Sequence, residues 1–154
     1  MSRDVDVLTE TVIRRPVAAV ASFAGDPTNA PEWYVNIDSV EWQTPPPVGV
    51  GSRMAFVARF LGRRLAYTYE VVELVPGERL VMRTADGPFP METTYTWEAL
   101  GADATRMTLR NRGRPAGFSV LVGPFMAGAM RRANTKDLAA LRARLESGAA
   151  PPSG

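Results

Sequence analysis

Five polar side chains fall on strand positions whose phase points toward a shared interior: Tyr67, Tyr69, Arg83, Tyr95 and Asn111. A tyrosine hydroxyl or an arginine polarises a carbonyl or orients a polar ligand group, and a nearby carboxylate would remove a proton. The inward set holds no certain carboxylate, so binding needs less of this sequence than acid-base catalysis does. The chain has no cysteine and no histidine, which excludes disulfides, thiolate nucleophiles, Cys/His zinc sites and a Ser-His-Asp triad. No acidic loop has the ligand spacing of a calcium site, and neither a metal nor another cofactor is expected.

The same phase brings Met54, Phe56, Met91, Trp97, Met107 and Leu109 inward from the strands. Phe125, Met126, Met130 and Asn134 face them from a helix. Methionine adapts to irregular apolar partners, so this lining suits a tolerant pocket or an ordinary core. Arg83 is costly to bury unpaired, and a slip of one residue would turn it outward and Met82 inward. Trp33-Tyr34 falls where a short helix meets the next strand. The pair reads either as the mouth of a pocket or as a staple holding the short helices to the sheet.

The elements that must position these residues are legible in the hydrophobic period. From Asp4 to Arg14, Val5, Val7, Thr9, Thr11 and Ile13 alternate with Asp6 and Glu10, as a half-buried strand does. Pro16 opens a short core helix with Val17, Val20, Phe23 and Ala24 on one stripe, and Asp26 caps a second short turn from Pro27 to Tyr34. Ile37 to Gln43 reads as a strand. Phe56 to Val71 reads as a hairpin turning at Leu61–Arg64, and Arg79 to Thr84 is a short strand after the Pro76-Gly77 turn. Met91, Thr93, Tyr95 and Trp97 alternate with Glu92, Thr94, Thr96 and Glu98, and the segment from Thr105 to Arg112 repeats the pattern. Helical spacing then runs from Phe118 to Leu145, with Pro124 best placed at the first position of a helix reaching Glu146.

The predicted order is an α+β fold: a curved antiparallel sheet of about seven strands around a long C-terminal helix, with two short helices between strands 1 and 2. One domain is expected from 1 to 147, followed by a disordered tail from 148 to 154. No apolar run is long enough to span a membrane, and no secretory signal opens the chain, so a cytoplasmic protein is expected. Net charge is +2 but uneven, with 9 basic and 14 acidic residues up to Thr105, and 9 basic and 2 acidic from Arg106 onward. The basic third lacks interleaved aromatics, so it reads as a solvated face and no nucleic-acid partner is expected. A homodimer stays open.

Several segments carry a family resemblance: Ile13-Arg-Arg-Pro16 through Trp33, Val48-Gly-Val-Gly51-Ser-Arg53, Glu70-Val-Val-Glu-Leu-Val-Pro-Gly-Glu-Arg-Leu80 and Thr105-Arg-Met-Thr-Leu109. In their order and spacing they resemble the START-like, or helix-grip (SRPBCC), superfamily and its polyketide cyclase/dehydrase-like members. The resemblance covers almost the whole chain. It implies an apolar pocket between the concave sheet and the C-terminal helix, but no shared catalytic motif. Two functions follow as expectations. The first is binding or carrying a small hydrophobic or amphipathic molecule such as a lipid, polyketide or aromatic metabolite. The second is a cyclase, aromatase or dehydratase working through Tyr, Arg and a carboxylate.

Overall fold

The computed structural model describes residues 5–60, 62–86, 90–113 and 123–147. The expected tail and the stretch around Phe118 lie outside the described residues. Strand β1 (Val5–Ile13) leads into helix α1 (Val17–Ala24), a 3-10 turn (Pro27–Asn29) and helix α2 (Ala30–Trp33). Six strands follow: β2 (Ile37–Trp42), β3 (Arg53–Phe60), β4 (Arg63–Val75), β5 (Arg79–Asp86), β6 (Met91–Ala99) and β7 (Thr105–Gly113). Helix α3 (Gly123–Glu146) closes the fold.

All seven strands form one sheet in the order β1-β7-β6-β5-β4-β3-β2, and every pairing is antiparallel. The first two strands in sequence thus occupy opposite edges. The chain crosses between them through α1, the 3-10 turn and α2. Asp26 starts that turn, its Oδ1 accepting from the Thr28 N–H at 2.9 Å. Gly25 ends α1 against the sheet, where a Cβ would sit 2.7 Å from the Ala21 carbonyl and 3.3 Å from the Trp97 ring. No larger residue fits there without displacement. Gly77, at φ 77°, supplies the left-handed conformation that the β4–β5 turn requires.

The sheet buries its inner face against α3, whose buried stripe runs Met130, Asn134, Asp137, Leu138, Leu141 and Leu145. The last turns of α3 are tied to the β1–α1 connection. The Arg14 N–H donates to Glu146 Oε2 at 2.7 Å, and Arg15 Nη1 donates to the Leu145 carbonyl at 2.8 Å. Leu138, Leu141 and Leu145 pack with Ile13, Trp33, Trp97, Met107 and Leu109 into the main core. A smaller cluster of Val5, Val7, Met91 and Met130 sits toward the other end of α3.

The basic C-terminal third lies largely in cross-strand and helix-surface ion pairs. Arg106 meets Glu98, Arg110 meets Asp6, Arg112 meets Glu92, Arg142 meets Glu146 and Arg144 meets Glu32. Such exposed pairs each contribute little to stability. No helix of the described residues is long and apolar enough to cross a membrane.

Candidate functional site

Between the solid core and the smaller cluster, sheet and helix separate to leave a cavity of about 140 Å³. Its apolar wall comes from β3 and β4 (Phe56, Ala58, Leu65), from Met82 and Met91, and from Met130 and Ala133 on α3. Asn36, Ile37 and the exposed Arg59 lie at its rim. Arg59 is held there by Asp38 at 2.9 Å.

Pairing brings the polar residues of neighbouring strands side by side. Thr93 and Asn111 are direct partners across β6 and β7, and Thr93 Oγ1 donates to Asn111 Oδ1 at 2.6 Å. The Tyr69 hydroxyl lies 3.4 Å from the same Thr93 oxygen. Farther along β6, the Tyr95 hydroxyl meets that of Tyr34, the residue ending α2, at 2.6 Å. Tyr67 and Tyr69 stand with ring centroids 5.9 Å apart, and Phe56 packs edge-on to Tyr69. Burial pushes the phenols of Tyr34, Tyr69 and Tyr95 above their ordinary range, so all three stay protonated and able to donate near neutral pH.

Helix α3 contributes the two most unusual groups. Asn134 is 4% exposed, and its Nδ2 has no hydrogen-bond partner among the described residues. Asp137, one turn on and 3% exposed, lines the same cavity. Its Oδ1 accepts from the Val35 N–H at 2.9 Å, and no basic side chain pairs with it among the described residues. Burial pushes its carboxyl up to about 7, opposed only in part by that backbone donor. Its charge in turn contributes, after burial, to raising the phenols of Tyr34 and Tyr95, which line the same cavity.

Apart from Arg83 and Trp33, the residues marked out by sequence divide into three groups. Phe56, Tyr67, Tyr69, Met91, Tyr95, Asn111, Met130, Asn134 and Tyr34 border the cavity. Met54, Met107 and Leu109 point to the same side of the sheet but are fully buried in the core, away from it. Trp97 likewise lies under Gly25 and borders a separate groove with Trp42 and Pro46. The side chains of Phe125 and Met126 lie outside the described residues.

Two expectations are corrected. Arg83 faces solvent, its side chain 63% exposed and bound to Glu92 at 2.8 Å, while Met82 takes the inward place. The pairing sets this phase: Arg83 stands opposite Glu92 on β6 and Glu70 on β4, both facing outward, whereas Met82 stands opposite Thr93 and Val71 on the inner face. Trp33 is not at a mouth: at 1% exposed it is a core residue stacked 4.2 Å from the Tyr34 ring, and only Tyr34 reaches the cavity.

Sequence reasoning missed Asp137, Thr93, Leu65 and Ile37 as lining residues and gave Met82 only as the alternative to Arg83. Asp137 had a signal: it follows Asn134 by three positions, on the edge of the stripe that carries Met130, Leu138 and Leu141.

Solved structures share this architecture. The protein TTHA0849 of Thermus thermophilus is 22% identical with a TM-score of 0.79, covering 92% of this chain and 97% of its own. A START superfamily protein of Mycobacterium smegmatis is 16% identical with a TM-score of 0.81, over 92% and 97% of the two chains. The Zhui aromatase/cyclase of Streptomyces sp. R1128 is 16% identical with a TM-score of 0.80, over 98% and 99%. At these identities the likeness establishes the fold alone. No curated protein matches this sequence. The family model described as polyketide cyclase / dehydrase and lipid transport matches residues 4–146, which joins the helix-grip architecture to the sequence itself: this chain belongs to that family.

Proposed function

We propose that this protein binds a small amphipathic molecule in the cavity between the sheet and α3, with a ring-sized apolar body and at least one oxygen. The observation that carries the reading is an apolar wall bearing one inward polar atom, Asn134 Nδ2, that the described residues do not engage. Buried polar atoms are ordinarily paired, and this one has no partner among the described residues. A ligand oxygen at that point would satisfy it, with the Tyr34–Tyr95 hydroxyl pair as a second anchor. Size sets the body: an apolar cavity of about 150 Å³ accepts a benzene-sized ring, close to the volume here.

Titration with 2-naphthol, whose own fluorescence reports transfer to an apolar site, tests this. One equivalent should bind, and Ala133→Trp, which fills the cavity from α3, should abolish it. Absence of saturable binding by the wild-type protein would remove the reading.

Asp137 favours a second reading, an enzyme of the cyclase or dehydratase type. A carboxyl raised to about 7 is matched to proton transfer near neutral pH. In that role the carboxylate takes a proton from carbon next to a ligand carbonyl, while a tyrosine hydroxyl donates to the oxygen on which negative charge develops. Turnover would then rise as pH passes upward through about 7 and vanish in Asp137→Asn. The likeness to an aromatase/cyclase is compatible with this reading.

A further inference from the structure

We infer that the cavity is selective for a basic ligand: an aromatic or cyclic amine whose ammonium group pairs with the Asp137 carboxylate inside the tyrosine-lined wall. The inference deepens the binding reading above and rests on it. Its basis is a charge imbalance. Asp137 is buried on an apolar helix face, with one backbone N–H as its hydrogen-bond partner and no cation paired with it among the described residues. Buried carboxylates are normally matched by a cation or by several donors.

The rim arginine does not supply that match, because Arg59 is engaged by Asp38. A ligand ammonium would supply it, and the aromatic rings lining the cavity offer it a second source of attraction. Tyr34, Tyr69 and Tyr95 line the cavity together with Phe56, and the negative faces of such rings attract a cation within about 6 Å. The neighbouring donor, Asn134 Nδ2, is then left for an oxygen elsewhere on the same molecule.

A neutral carboxyl group offers a competing recognition mode, because a protonated Asp137 would donate to a ligand carbonyl or hydroxyl. The two modes favour opposite ligands. Benzylamine and benzyl alcohol have the same shape and differ in charge, so calorimetric titration of both at pH 8 separates them. The amine should bind roughly tenfold or more tightly than the alcohol, the span expected when a hydrogen bond gains full charge. In Asp137→Asn, which retains an acceptor for the Val35 N–H, that preference should disappear while the alcohol still binds.

Equal binding, or a preference for the alcohol, would overturn the inference and leave the cavity reading intact. Failure of both ligands to bind would remove the two readings together. A wild-type measurement guards against a variant that does not fold. At pH 7 the amine should release about half a proton from Asp137 on binding, read from titrations in two buffers of different ionisation enthalpy. Amine binding without proton release would count against Asp137 as the partner.

Discussion

The hydroxyls of Tyr34 and Tyr95 meet at 2.6 Å, joining the end of α2 to the middle of β6 at the cavity wall. The contact gives each hydroxyl a partner and sets a polar point in an apolar surface. Tyr95→Phe breaks it while keeping the ring in place. The substitution should cost about 0.5–1.5 kcal/mol of stability and weaken an oxygen-bearing ligand several-fold, leaving a pure hydrocarbon unaffected. Thermal unfolding and a paired titration with phenol and benzene check both halves.

A pH dependence follows from Asp137. Its folded-state value of about 7 stands above the ordinary 3.8, so between those values the native protein binds more protons than the unfolded chain. The stability linked to this group is therefore fully present below pH 4 and is lost as pH rises to about 7. The loss amounts to up to about 4 kcal/mol. The titratable groups facing Asp137, Tyr34 and Tyr95, remain protonated throughout that range. Asp137→Asn should accordingly raise the melting temperature by several degrees at pH 8 and leave it nearly unchanged at pH 4. Asp6 and Glu146, whose values are lowered by Arg110 and by the Arg14 N–H, shift stability the opposite way in acid but cancel in the comparison. A variant less stable than wild type at pH 8 would show that the buried carboxylate is compensated.

The contrast between β5 and α3 yields a third expectation. Arg83→Ala removes an exposed ion pair and should change stability by no more than about 0.5 kcal/mol, with ligand binding intact. Leu141→Ala removes a fully buried side chain from the core and should cost about 2–5 kcal/mol. Denaturant unfolding measures both. A large effect of Arg83→Ala on binding would return that side chain to the site.

Strand alternation made the architecture readable because it depends on local period. Met91 to Trp97 and Thr105 to Asn111 point as their spacing requires. Two things escaped that logic. On β5, Leu80, Val81 and Met82 are consecutive apolar residues and all are buried, so no alternation fixes the phase, and the register that sets Arg83 opposite Glu92 and Glu70 decides it instead. Depth along the sheet was equally hidden. Tyr95 and Trp97 share a phase, yet Tyr95 borders the cavity and Trp97 packs under α1, because only the placement of the short helices says where the core ends. Asp137 was passed over since a single acidic residue on a helix ordinarily faces water. Its place on the edge of the apolar stripe was the one local sign of burial, and the rotation of α3 against the sheet decides the matter.

The central claim, that the cavity between sheet and α3 is the binding site, is tested most directly by a crystal structure of the protein with 2-naphthol. The account predicts density for the ring between Met82, Met130 and Ala133, with the hydroxyl within hydrogen-bond distance of Asn134 or the Tyr34–Tyr95 pair. Density instead in the groove beside Trp42, Pro46 and Trp97, with the cavity empty or closed by its own side chains, would contradict it.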